Sequence, residues 1–160
     1  MKTSDYSESQ FIQEIMQEHN AGSSIEVQEV KRFPVDNSAS ILSTLNAGTT
    51  GLEIGHFGLK VTYLKDSKTF TRKMVMKVKP SGEVTSAMLN SLSIICGDKL
   101  NAVYQPFKNL TGFRNTHMRE LEVYNKLPSL IQPEIFGLKA DRKNDIYIIL
   151  MENLEVELLN

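Results

Sequence analysis

The sequence predicts an α+β domain: an antiparallel sheet of about five strands with its main helices inserted between the third and fourth. Three observations predict it. The stretch Met74-Val75-Met76-Lys77-Val78-Lys79 runs as a buried strand into Pro80, which cannot donate to a sheet ladder. Before it the order is strand, glycine-rich loop, strand and turn, which makes a meander. After it, apolar stripes at helical spacing precede two further strand patterns.

Taken in order, Ser7 and Gln10 have capping-box spacing, and Phe11, Ile12, Ile15 and Met16 follow as a helical stripe that should end near Asn20-Ala21-Gly22. Ile25, Val27, Val30 and Phe33, closed by Pro34, read as a short strand or extended segment. Ile41 to Leu45 is a second strand candidate and opens the meander. The stretch from Asn46 to Gly58 holds Gly48, Gly51, Gly55 and Gly58 and exposes the most backbone. Strand character resumes at Leu59 to Leu64, with Val61 and Tyr63 on one face and Lys60 and Thr62 on the other. Asp66-Ser67-Lys68 supplies a turn into the apolar strand, where Met74, Met76 and Val78 share one face and Lys73, Val75, Lys77 and Lys79 the other.

Val84, Met88, Leu92 and Ile95 then recur at helical spacing up to Gly97, and Leu100, Val103 and Tyr104 predict a shorter helix before Pro106. Lys108-Asn109 and Gly112 mark a loop. Thr116 can cap a helix with Met118, Leu121, Tyr124 and Leu127 on one side, stopped by Pro128. Glu134 to Leu138 and Ile146 to Met151 read as the last two strands, joined by the polar turn Asp141 to Asp145.

At 160 residues, with a formal charge of -1 and a hydrophobic fraction of 41%, the chain is sized for one domain or one lobe of something larger. That balance demands neither a nucleic-acid nor a membrane partner. Cys96 is the single cysteine, so no intramolecular disulfide or thiolate cluster can form, which points to a reducing, cytoplasmic setting. The polar N-terminus reads as neither signal peptide nor anchor. Charge is nonetheless uneven: Lys60, Lys65, Lys68, Arg72, Lys73, Lys77 and Lys79 face one acid, Asp66. The cluster reads either as a solvated face, its lysines reaching water, or as a site for an anion.

Three pieces in order carry a resemblance. Met74-Val75-Met76-Lys77 is similar to the apolar-Ala-apolar-Lys strand of kinases, with Val75 where alanine is usual. Arg119-Glu120-Leu121-Glu122-Val123-Tyr124 is similar to an Arg-Glu-x-x-Phe-Tyr helix. Pro133-Glu134-Ile135-Phe136-Gly137, through Ile149-Leu150-Met151-Glu152-Asn153-Leu154, is similar to the Pro-x-x-Tyr-Gly and Leu-Val-Leu-Glu-Asp-Leu pattern leading into a hinge. The chain thus resembles the N-terminal, nucleotide-binding lobe of a kinase-like phosphotransferase, of the branch holding aminoglycoside phosphotransferases, choline kinases and ecdysteroid-kinase-like proteins.

The resemblance implies a protein-kinase-like N-lobe over residues 25–154, after a helix and lead-in over 1–24, with 155–160 as the start of a second lobe. It implies ATP as the ligand and a small-molecule hydroxyl as the acceptor. Gly48, Gly51, Gly55 and Gly58 would offer backbone amides to phosphates, and Lys77 would bridge them, held by Glu120. Met151, Glu152 and Asn153 would form the hinge that reads adenine, with Val75 packed on the base. Glu122 competes with Glu120 for Lys77; the two point about 200° apart on a helix, and the family register favours Glu120. The glycines match no strict phosphate-loop motif. In the family the catalytic aspartate and magnesium ligands belong to a second, mostly helical lobe. The chain alone is therefore expected to bind nucleotide without transferring phosphate, and to pair with that lobe, encoded separately or deleted.

Other chemistries find little support. His19, His56 and His117 have no metal-ligand spacing, and no Gly-x-Ser-x-Gly elbow occurs. The alternative from another class is a small α+β binding module whose basic meander holds RNA or an acidic protein, recognisable by a strong salt dependence.

Overall fold

A computed structural model describes residues 8–36, 54–126, 132–143 and 145–154. The chain is α+β, with helix α1 (Ser9–His19), strands β1 (Ile25–Phe33), β2 (Gly55–Lys65) and β3 (Lys68–Lys79), helices α2 (Gly82–Ile95) and α3 (Asp98–Phe107), a 3-10 turn at Phe113–Asn115, helix α4 (Thr116–Lys126), and strands β4 (Ile135–Asp141) and β5 (Ile146–Glu152). The sheet is five-stranded and antiparallel, in the order β1-β2-β3-β5-β4. All the helices after α1 lie between β3 and β4 in the chain, as expected.

Alternation in β3 sorts its side chains as predicted. Met74, Met76 and Val78 enter a core with Leu59, Val61 and Tyr63 of β2, Ile148 and Leu150 of β5, and Ile12, Ile15 and Met16 of α1. Helix α1 therefore closes this face of the sheet. Its glutamines also satisfy the edge strand: Gln17 accepts from the Ile25 amide and Gln13 from the Val27 amide, both at 2.9 Å. A bulge inserts Phe136 between Ile135 and Gly137, turning its ring into the same core. On the other face α4 lays Leu121 against Tyr147 and Ile149, with Met118, Tyr124, Ile135, Leu138 and Met151 around them.

Several local expectations change. The strand that pairs with β2 is Ile25–Phe33, so β1, and not Ile41 to Leu45, opens the meander; Ile41 to Leu45 lie outside the described residues. Gly55 and Gly58, read as loop, belong to β2 and pair with Val78 and Val75. Gly58 is needed for close approach, since a Cβ there would stand 2.6 Å from the Phe33 carbonyl oxygen and as close to its ring. Helix α1 starts at Ser9 with Glu8 as its N-cap, whose side chain makes no capping bond, and Gln10 donates to Glu14 at 3.4 Å; Ser7 of the expected capping box lies outside the described residues. Thr116 opens α4 but donates its hydroxyl back to the Phe113 carbonyl at 2.6 Å, because the preceding 3-10 turn leads directly into the helix. Helix α3 runs one residue past Pro106, which sits in its last turn.

The β2–β3 turn behaves as read. Asp66 and Ser67 both take positive φ, 51° and 67°, as a two-residue hairpin of type I′ requires. Helices α2 and α3 form a hairpin with a polar seam, in which Ser93 bonds Asn101 at 3.1 Å and Gln105 donates to Asn90 and Asn101 at 2.8 and 2.7 Å. Ile94, Ile95, Leu100, Val103 and Phe107 face outward, and α3 has no buried residue.

Candidate functional site

The face of β3 opposite α1 carries Lys73, Val75, Lys77 and Lys79, and α4 packs on the same side of the sheet over the adjacent β5 and β4. On α4 the positions His117, Glu120, Leu121 and Tyr124 share one side at i, i+3, i+4 and i+7. His117 and Leu121 are buried and Tyr124 is half-buried. Glu120 thus projects from an otherwise sheet-facing stripe onto the lysines. Lys77 Nζ donates to Glu120 Oε1 at 2.7 Å, and Lys79 Nζ donates to Glu120 Oε2 and, at 3.3 Å, to the Thr116 carbonyl. Glu122 points away and pairs with Lys126 at 3.2 Å on the helix surface.

The geometry settles which glutamate meets Lys77 and adds Lys79, which the sequence reading left as one more lysine on the face. The signal was present, since Lys77 and Lys79 alternate onto one side of the strand. Burial pushes the Glu120 carboxyl up, but the hydrogen bonds and charges of the two lysines outweigh it and hold the group below the ordinary carboxylate range. Burial first, with the charges of Lys77 and Arg119, lowers the pKa of the Lys79 ammonium against the opposing pull of Glu120. One carboxylate faces two ammonium groups, leaving the cluster net positive.

His56 stands across from Lys77 in the β2–β3 register. Burial first, then the charge of Lys77, lowers its pKa against the opposing pull of Glu120, so a neutral imidazole flanks the lysine at pH 7. His117 packs edge-on against Tyr147, with ring centroids 4.1 Å apart. Its Nδ1 is buried with no hydrogen-bond partner. Burial lowers its pKa as well.

An apolar row adjoins this cluster. Phe33, Gly58, Val75, Met151 and Ile135 sit directly opposite one another across all five strands. Val75 and Met151 are therefore neighbours. Val75 keeps 8% exposure. In the segment expected as a hinge the Glu152 amide donates to the Glu134 carbonyl at 2.8 Å and the Asn153 amide to the Lys73 carbonyl at 3.1 Å. Those two donors are therefore committed to other backbone carbonyls.

Of the predicted site residues, Val75, Lys77, Glu120 and Met151 lie on the α4 side of the sheet, with Gly58 directly opposite Val75, whereas Gly55 and Glu152 stand opposite the core residues Val78 and Met74 and Asn153 follows the end of β5. Gly48 and Gly51 lie outside the described residues. A depression between α2, α3 and the 3-10 turn, lined by Glu83, Asn90, Tyr104, Lys108 and Arg114, includes none of them. Its opposite charges meet each other, with Arg114 Nε 3.3 Å from Glu83. Among the described residues no three His, Cys, Asp or Glu side chains converge as a metal site, and no helix is long and apolar enough to cross a membrane. Comparison with known proteins returns no match to a family model, a curated protein or a solved structure.

Proposed function

We propose that the chain is the nucleotide-binding lobe of a kinase-like small-molecule phosphotransferase, one that passes a phosphoryl group from ATP to a hydroxyl acceptor. The observation that carries the reading is the 2.7 Å ion pair between Lys77 on the central strand and Glu120 on the helix preceding β4. A lysine so held is an oriented cation beside an apolar row, which suits phosphate oxygens next to a flat base. The residues fit the group: Lys77 for the phosphates, Val75 and Met151 for the ring, and the backbone around Gly55 for further donors. Magnesium and the aspartate that orients the acceptor would come from a second, mostly helical lobe.

Titration of the labelled chain with ATP, followed by NMR, tests the reading. Shifts should cluster at Gly55, Val75, Lys77 and Met151, with an affinity of about 1 mM, worth about -4 kcal/mol, for a lobe supplying part of the contacts. Lys77→Ala should abolish those shifts while the rest of the spectrum stays folded. Unchanged ATP shifts in that variant would sink the assignment.

A second reading has its own observation. Lys31, Lys60 and Lys73 lie directly opposite one another across β1, β2 and β3, and Lys31 also pairs with Glu29 at 2.8 Å. Like charges placed opposite are costly unless an anion offsets them. If this row holds RNA or an acidic protein, a short RNA should shift residues 60–79 at low salt and lose that effect at high salt, with ATP silent.

A further inference from the structure

Glu120 presents its two oxygens to two lysines that are not equivalent. The Lys77 side chain keeps 27% exposure and the Lys79 side chain 7%. Lys79 is enclosed between β3 and the first turn of α4, where it also donates to the Thr116 carbonyl. An ammonium in that position needs a counter-charge, because taking it from water is costly unless it is paired and hydrogen-bonded. Lys77 lies two residues back on the same face, with water on one side of it. Without Lys77, Glu120 and Lys79 remain a neutral pair. Without Lys79, a half-buried glutamate keeps only its more exposed partner.

We propose that Lys79 is the positioning residue that anchors Glu120, and with it α4, to the sheet, while Lys77 is the exchangeable member that turns its charge onto a phosphate-class anion without releasing Glu120. The proposal deepens the nucleotide-lobe reading and rests on it for the identity of the anion. One carboxylate cannot neutralise two ammonium groups, so the cluster already holds the surplus charge that an anion would use. The exposed lysine is the one an anion can reach. Lys79 and Glu120 then stay in place whether the site is empty or filled, so binding need not reorder α4.

The test measures the carbon-13 titration of the Glu120 carboxyl and the ATP affinity in the wild type, Lys77→Met, Lys79→Met and Lys79→Arg. In Lys77→Met, Glu120 should still titrate below an ordinary glutamate while ATP affinity falls about tenfold or more. In Lys79→Met the Glu120 titration should move up, and affinity should fall by about three- to tenfold although Lys77 is intact. Lys79→Arg should recover most of both. The reverse pattern, with Glu120 moving in Lys77→Met and unmoved in Lys79→Met, overturns the proposal. Should Lys79→Met fail to fold, the wild type decides. On ATP addition the Lys77 ammonium resonance should move and that of Lys79 stay, and a moving Lys79 overturns the division. A wild type silent to ATP overturns the nucleotide reading and the role of Lys77, while the Glu120 titrations still decide which lysine is the anchor.

Discussion

A carboxylate set in the inward stripe of a helix needs a reason, and for Glu120 the reason is on the facing strand. The sequence supplied half of it. Residues 100° apart on a helix and alternate residues on a strand can be sorted into faces by counting, which is enough to say that only one of Glu120 and Glu122 can face Lys77 and to put Lys77 with Lys79, while the choice of Glu120 rests on the family resemblance. Counting cannot say how deep each lysine lies, because depth depends on where α4 settles on the sheet beside β3. Gly58 shows the same limit. It reads as loop by composition, yet it sits in β2 because the Phe33 ring and carbonyl press against the place a side chain would occupy. Gly58→Ala should cost about 1–3 kcal/mol through that overlap. A urea midpoint equal to that of the wild type would show that Phe33 can give way freely.

At the scale of elements, α1 was legible as a helix but not as half of the core. Its stripe, Ile12, Ile15 and Met16, is fully buried against strands that come from both ends of the chain. Ile15 also backs onto Gly137, where an added Cβ would stand 2.9 Å from the Ile15 carbonyl oxygen. Helix and strand therefore touch backbone to backbone, closer than side-chain pattern alone can indicate. Ile15→Ala should destabilise the fold by about 2–5 kcal/mol, lost burial and residual cavity together. An effect below about 1 kcal/mol in chemical denaturation would mean that α1 docks by its glutamine bonds to β1 and not by its stripe. The strand boundaries were harder to read than the strands. β1 keeps the bounds its apolar residues mark, whereas β2 begins at Gly55, ahead of the expected Leu59, because pairing with β3 continues through polar residues such as His56, which no hydrophobic pattern marks.

Across the whole molecule, the histidines and Glu120, the groups shifted in the acid-to-neutral range, act in one direction. His19, His56 and His117 all have pKa values lowered from 6.5, each first by burial. Glu120 is lowered from 4.5, its lysines outweighing its burial. In each case the unfolded chain binds the proton more tightly than the folded one. The stability these groups contribute is therefore present above the ordinary value and is lost as pH falls through the lowered folded value. The urea midpoint should hold above pH 6.5, decline as the histidines are forced to charge, and decline again below 4.5 as Glu120 leaves its lysines. A midpoint that rises on acidification from neutral pH would contradict the burial of these imidazoles.

The polar seam between α2 and α3 sets a different property from affinity or stability. Amide and hydroxyl contacts such as those of Ser93, Asn101 and Gln105 can be exchanged for contacts with water at little net cost. No residue of α3 is fully buried. That hairpin should consequently open as a cooperative unit of its own, its amides exchanging with solvent through local openings while those of β3 and β5 wait for the global event. The molecule carries a slow clock in its sheet and a fast one beside it.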